Sequence, residues 1–231
     1  MLSIVLAETA LETVPKELAN NPAIVAEARK TGKPVEFLLL DASRHSSAMQ
    51  GMADEKKRGR PDIAQFCLLL GLDHPLNKDK LLRFFIHTRN DKLVLVDPEV
   101  RLPRVYHRFC GVFQDLFSKK KLEANGKVLM EIRDGVTLSQ VIGLAREAAG
   151  ANAQVVVFDP LGKHQGFKEL SASLSAFPNT VAVIGGFPHG GFSDEKALEE
   201  FVKISVSPHE LCAWTVVADV LSAYSAGQEK D

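Results

Sequence analysis

Short apolar runs and longer amphipathic stretches alternate along the second half of this chain. The runs at residues 128–132, 155–158 and 181–184 read as strands, and the stretches at 138–149 and 167–174 read as helices. A further short strand is expected at 202–206, reached through a loop, and a last helix from Pro208 to Tyr224. Apolar strands separated by helices argue for a parallel sheet covered on both faces. A frayed tail is expected at 227–231.

The first half is less regular. Residues 3–7 read as a buried strand and 22–30 as a helix broken by Gly32-Lys33-Pro34. A second buried strand is expected at 35–40, ending at Asp41, followed by a polar irregular stretch at 42–60 with a basic cluster at 56–60. Pro61 suits a first helical turn and opens a helix whose apolar run is 63–72. Two strands, 81–87 and 92–97, flank a turn at Arg89-Asn90-Asp91. Pro103 is expected to begin a helix reaching about Ser118, and Lys119-Lys120-Lys121 with Asn125-Gly126 to form a solvated loop or hairpin.

Length and composition narrow the class. A chain of 231 residues can build one large domain or two small ones. No apolar run reaches membrane-span length, and the N-terminus meets Glu8 too early, and without a basic flank, for a signal peptide. A protein that stays in the cytoplasm, with no membrane partner, is expected. Cys67, Cys110 and Cys212 are far apart and read as buried free thiols in a reducing compartment. No C-x-x-C or H-x-x-H pair suggests a metal site. The net charge is −1, yet residues 56–108 hold 12 Lys+Arg against 6 Asp+Glu, leaving −7 for the rest. Such asymmetry fits a localised face for an anionic partner.

Three regions can carry chemistry. After the strand at 181–184 comes Gly185-Gly186-Phe187-Pro188-His189-Gly190-Gly191, where a ligand can approach the backbone closely at the carboxyl end of a strand. It is neither a dinucleotide fingerprint nor a phosphate loop, and a plain glycine-rich turn is the simpler alternative. The second region, 204–214, joins the last strand to the last helix. Ser207 and Glu210 have capping-box spacing, with Pro208 at the first helical position. The third is basic. On a helix begun by Pro103, Arg104 and Arg108 share one face, Arg101 lies a turn ahead, and Val105, Phe109, Val112 and Leu116 form the apolar stripe. The row can clamp phosphates, or can pair with Asp97, Glu99 or Asp115. Arg60 adds a further guanidinium, with Asp62 able either to orient it or to favour the helix dipole. His45, in a polar loop, is a weak candidate for a general base, and no residue makes a convincing one.

Five segments in order resemble the ribosome-biogenesis family of pseudouridine N(1)-specific methyltransferases. They are Val5-Leu6-Ala7-Glu8-Thr9-Ala10-Leu11-Glu12, Arg58-Gly59-Arg60-Pro61-Asp62-Ile63, Arg101-Leu102-Pro103-Arg104-Val105-Tyr106-His107-Arg108-Phe109, Ile184-Gly185-Gly186-Phe187-Pro188-His189-Gly190, and Ile204-Ser205-Val206-Ser207 with Leu211-Cys212-Ala213-Trp214-Thr215. The resemblance spans nearly the whole chain. It implies an α/β fold of the SPOUT class: a mostly parallel sheet with helices on both faces and a C-terminal trefoil knot, in a homodimer. It further implies a single domain over 1–231 with an RNA-binding insertion at roughly 42–126.

By the same resemblance the activity is S-adenosylmethionine-dependent methylation of a pseudouridine ring N1 in small-subunit ribosomal RNA, within small-subunit biogenesis. The cofactor S-adenosylmethionine would be held by Phe158, Gly185, Gly190, Ile204, Ser205, Val206, Ser207, Glu210 and Leu211. RNA would be held by Arg60, Arg101, Arg104 and Arg108, with Asp62 steadying Arg60, and no metal is implied. Two positions depart from the family's pattern: Glu210 where Pro is frequent before Leu211, and Gly191 where Asp or Asn is frequent. The lysine-rich N-terminal extension of eukaryotic members is absent, which favours an archaeal-type cytoplasmic protein. A non-catalytic RNA-binding assembly factor and a methyltransferase for another base remain the alternatives.

Overall fold

The computed structural model describes residues 1–150 and 152–228. Strand β1 (Leu2–Thr9) is buried along its whole length and lies between two parallel partners, β2 (Leu82–Thr88) and β7 (Thr180–Gly185). The other strands are β3 (Lys92–Val96), β4 (Lys121–Ala124), β5 (Lys127–Asp134), β6 (Gln154–His164) and β8 (Val202–Ser205). They form one sheet in the order β4-β5-β3-β2-β1-β7-β6-β8. The run β2-β1-β7-β6-β8 is parallel, and β2-β3-β5-β4 is antiparallel, with β5 between β3 and β4. The 42–126 segment therefore contributes β2, β3 and β4 to the same sheet as the C-terminal strands.

The helices are α1 (Pro22–Thr31), α2 (Ala42–Met49), α3 (Pro61–Asp73), α4 (Pro75–Lys78), α5 (Tyr106–Lys119), α6 (Leu138–Ala149), α7 (Phe167–Ser175) and α8 (Ala213–Gln228). Side chains alternate across a strand, so β1 serves two cores. Leu2, Ile4 and Leu6 pack with Leu68 of α3, Phe113 of α5, Leu170 of α7 and Val217 of α8. Val5 and Ala7 point the other way, toward Val141 and Ala145 of α6. A third, smaller core gathers Ile24, Leu38, Leu40 and Met49 beneath α1 and α2. Gly71 is required where α3 crosses β2, because a Cβ there would sit 2.0 Å from the Phe84 ring.

Several expectations hold. The strands at β1, β2, β3, β5, β6, β7 and β8 lie where the apolar runs stand. Asn125 and Gly126 take φ of 52° and 75°, the left-handed pair that a tight hairpin needs, and join β4 to β5.

Others are corrected. Residues 35–40 are not a strand: Val35–Phe37 is a 3₁₀ turn, and only an isolated bridge pairs Leu39 with Thr13. The run is apolar because Leu38 and Leu40 fill the small core while Leu39 fills the large one. The stretch after Asp41 is helical, since the Asp41 carboxylate accepts from the Ser43 N–H at 2.9 Å and caps α2. Helix α5 starts at Tyr106, not Pro103, because the Gln65 side-chain amide donates to the carbonyls of Pro103 and Arg104 and keeps them outside the helix. Helix α8 starts at Ala213, not Pro208, and its beginning holds no capping box: the Ser207 hydroxyl accepts from the His209 N–H at 3.0 Å in a local turn. Gly227 and Gln228 remain within α8, and residues 229–231 lie outside the described residues.

Candidate functional site

A cavity of about 330 Å³ opens beyond the ends of β7 and β8. This is where an open α/β sheet binds ligands. Phe158 is the last β6 residue paired with β7, opposite Ile184. Both β6 residues Phe158 and Lys163 face Ile204, so β6 bulges between them and turns Asp159 and Pro160 into the cavity wall. A Cβ on Gly162 would meet the Ile204 backbone at 2.6 Å, so glycine lets the bulge close onto β8.

The two loops singled out in the sequence meet here. Phe158, Gly185, Gly190, Ile204, Ser205, Val206, Ser207, Glu210 and Leu211 all line this one cavity. The first loop is pinned to β1 at its base: the Gly186 N–H donates to the Ala7 carbonyl at 2.7 Å, and the Ala10 N–H donates to the Gly186 carbonyl at 2.9 Å. Only glycine fits at 186, where a Cβ would lie 2.5 Å from the Thr9 hydroxyl. The second loop is turned by its serines. The Ser205 hydroxyl donates to the Ser207 carbonyl at 2.6 Å, and the Gln165 N–H donates to the Ser205 carbonyl at 2.9 Å. The floor is apolar, with Phe158, Ile184 and Ile204 buried. His189, His209 and Glu210 are exposed polar groups of the lining.

Sequence reasoning missed part of the wall. Ile63 of α3 and Trp214 and Val216 of α8 also line the cavity. Nothing local marks them, because their helices read as ordinary core helices and meet only in the tertiary fold.

Arg60 lies in the same wall, and its N–H donates to the Ala10 carbonyl at 2.9 Å. Its guanidinium is joined to the Asp62 carboxylate by two bonds, which hold its proton even more firmly than an ordinary arginine. Arg101, Arg104 and Arg108 are exposed, and no described residue pairs with their side chains. The carboxylates expected as their alternative partners are engaged elsewhere: Asp97 and Glu99 with Lys127 at 2.9 and 2.8 Å, and Asp115 with Lys33 at 2.6 Å. One expectation is corrected: with α5 beginning at Tyr106, Arg104 precedes the helix and shares no helical face with Arg108. Gln65, one turn beyond Asp62 on α3, ties the Arg104 backbone to the helix whose entry carries Arg60. The lysines at 120 and 121 are spoken for by Asp134 and Glu131.

His45 is not in a polar loop. It is buried in α2, its Nδ1 accepts from the Asp41 N–H at 3.1 Å, and its Nε2 faces Glu27 at 2.9 Å. An acceptor Nδ1 puts the proton on Nε2, so the ring is committed to structure. Cys67 and Cys110 are buried as expected, and burial pushes the Cys110 thiol up to about 11. Cys212 departs from that expectation: it is exposed and lies in the cavity wall. No described helix is long and apolar enough to cross a membrane.

A family model described as EMG1/NEP1 methyltransferase matches residues 4–225. The chain is 38% identical over 223 residues to a Ribosomal RNA small subunit methyltransferase Nep1 of Pyrococcus furiosus, covering 96% of each chain. It is 40% identical over 223 residues to the protein of that name from Pyrobaculum aerophilum, covering 95% of this chain and 96% of the relative. The crystal structure of Archaeoglobus fulgidus Nep1 bound to S-adenosylhomocysteine is similar to it with a TM-score of 0.86, at 33% identity and 99% coverage of both chains. On the extent of these matches, and with both motif-bearing loops on one cavity, the chain belongs to the EMG1/NEP1 methyltransferase family.

Proposed function

We propose that this chain methylates small-subunit ribosomal RNA from S-adenosylmethionine, at the ring N1 of a pseudouridine, during small-subunit biogenesis. The observation that carries the reading is the meeting of the 185–191 and 204–211 loops on one cavity whose wall also holds Arg60. The relatives' printed names and the S-adenosylhomocysteine in the similar structure support it.

The cavity suits the cofactor. Its volume is within the range of small-molecule sites. Phe158, Ile204, Val206 and Leu211 offer apolar surface to an aromatic base and a thioether chain, while Gly185, Gly190, Ser205, Ser207 and Glu210 offer close backbone approach and polar partners. Glu210 and Gly191, the two departures from the family's pattern, both lie in this lining. When bound, S-adenosylmethionine supplies a methyl group already activated by a sulfonium.

The chain's residues then have an electrostatic task. Pseudouridine is joined to ribose through carbon, so its N1–H is free but weakly nucleophilic until the proton leaves. Arg60, locked by Asp62, puts a fixed positive field beside the cavity that stabilises an anionic ring. Arg101, Arg104 and Arg108, with no internal partners among the described residues, hold RNA phosphates and present an unstacked base.

Finer parts of the proposal follow. Residues 42–126 carry the RNA face of a single domain over 1–231, and the segment bearing β8 and α8 is threaded as the C-terminal knot of the class, a reading supported by the likeness to Nep1. The protein acts as a homodimer in the cytoplasm. Exposed Phe66 and Leu70, one turn apart on α3, with Trp214 of α8 against Phe66 at 5.1 Å, support a self-association face. Free cysteines and a ribosomal RNA substrate suit a reducing cytoplasm.

The test is calorimetry with S-adenosylhomocysteine, followed by methyl transfer to two stem-loop RNAs differing only in uridine or pseudouridine. Transfer to the pseudouridine RNA alone is expected. Binding without transfer would support an assembly factor, and transfer to both RNAs a different base specificity.

A further inference from the structure

We propose, resting on that reading, that Lys57 is a positioning residue for the cofactor site: it braces the glycine-rich loop from behind and ties it to the segment that presents Arg60. A loop with glycines at 185, 186, 190 and 191 has many conformations to lose when it orders around a ligand. Its base is held at Gly186 by β1. Its far end is held by the buried carboxylate of Glu8, which accepts from the Ser193 N–H and the Asp194 N–H, each at 2.8 Å. Glu8 takes a left-handed φ of 48° where the β1–β2 register shifts, a conformation that costs energy in a non-glycine residue.

The crown of the loop depends on Lys57. Its ammonium donates to the Gly191 carbonyl at 2.7 Å and to the Ser193 hydroxyl at 3.3 Å. It also lies 5.3 Å from the centroid of the Phe187 ring, which in turn meets Phe192 edge-on at 5.4 Å. Among the described residues no other hydrogen bond reaches residues 187–192. The Lys57 stem passes Gly190 so closely that a Cβ there would be 3.0 Å from its Cε.

Lys57 does not line the cofactor cavity. It lines a smaller one of about 140 Å³, with Glu8, Asp54, Arg89 and Ser193, and Phe187 lines both. It therefore acts through the loop.

Its own anchorage is firm. Lys57 ends the 3₁₀ turn Glu55–Lys57, and the next residue, Arg58, makes two bonds to buried Glu12 at 3.0 and 2.6 Å. Three residues after Lys57 comes Arg60, pinned to Ala10. One short segment thus carries an RNA-side arginine in one cavity wall and the brace of the opposite loop. Ligands that order this segment and this loop share the same ordering cost, and the coupling between them must be reciprocal.

The test compares wild type, Lys57→Met and Lys57→Arg. In the ligand-free chain, Lys57→Met is expected to speed exchange of the hydrogen-bonded loop amides of Gly186, Ser193 and Asp194 about tenfold, the loss of roughly one charge-assisted hydrogen bond, while β1 and β2 exchange as before and report an intact fold. The KM for S-adenosylmethionine should rise about tenfold with kcat nearly unchanged at saturation, the signature of weakened binding common to ground and transition states. Lys57→Arg, which keeps a cationic donor, should recover most of both. Unchanged exchange at Gly186, Ser193 and Asp194 in Lys57→Met overturns the brace whatever the cofactor does. Faster exchange with an unchanged KM overturns the positioning role alone. A wild-type chain that fails to bind S-adenosylhomocysteine overturns the cofactor reading and this inference together.

Discussion

The guanidinium of Arg60 meets the carboxylate of Asp62 in a two-pronged contact, Nε to Oδ1 at 2.8 Å and Nη2 to Oδ2 at 2.7 Å. The pair is partly solvated, so its worth to stability is small, about 1 kcal/mol or less. Its value is geometric, because two bonds fix the plane of a group that would otherwise swing through the cavity mouth. Asp62→Asn keeps the shape but loses the charge. We expect methyl transfer to fall roughly 10- to 100-fold, as for loss of a fixed electrostatic partner, with a melting temperature near wild type. A variant that melts early in proportion to its drop in activity would reduce Asp62 to a structural role.

Arg101, Arg104 and Arg108 cost the fold nothing internally, since no described residue pairs with them. Each change to Ala should leave stability within about 0.5 kcal/mol. Each should also weaken RNA binding and lower the slope of log affinity against log salt by roughly one unit for every phosphate no longer held. Salt titrations of stem-loop binding measure this, and parallel slopes for wild type and variants would exclude a phosphate clamp.

Gly71 reverses an ordinary rule. In an exposed helix, glycine to alanine stabilises by about 1 kcal/mol. Here the added methyl would stand 2.0 Å from Phe84, in the layer where α3 meets β2. Gly71→Ala is expected to destabilise by about 1–3 kcal/mol through overpacking. A denaturant midpoint at or above wild type would mean that the Phe84 ring has room to move aside.

The cysteines give a pH-dependent readout. Thiolate is the reactive form, and its fraction grows as pH rises toward the pKa. With burial holding Cys110 at about 11 and Cys67 higher still, both should be silent to a disulfide reagent at pH 8 while the chain is folded. Exposed Cys212 should react alone, and all three should react in denaturant. Because Cys212 lines the large cavity, saturating S-adenosylhomocysteine should slow its modification. Equal rates with and without the ligand would put the ligand elsewhere.

Much of this was legible in the chain because it depends on neighbours in sequence. Apolar runs mark the strands, Asn125-Gly126 marks a hairpin, and glycines after an apolar run mark a place where a ligand can approach. What escaped was set by distant partners. Nothing near Pro103 says that Gln65 will take its carbonyl, so the start of α5 cannot be read locally. The Ser207–Glu210 spacing fits a capping box, but the Ser207 hydroxyl is taken by its own turn. The apolar run at 35–40 mimics a strand because it threads two cores at once. His45 looks like a solvated loop residue until α1 brings Glu27 against it. The lysines at 120 and 121 look available until β5 supplies Asp134 and Glu131.

The place of β1 at the middle of the sheet has a consequence for synthesis. Its two flanking strands come from far along the chain, β2 beginning at Leu82 and β7 at Thr180. A nascent chain must therefore carry β1, with its core of Leu, Ile and Val, and leave the edge that pairs with β7 bare until Thr180 has been made. Such distant pairing slows folding, and the waiting strand is a natural client for holding chaperones. The scaffold of the large cavity is completed later still, when β8 and α8 follow β7 into place.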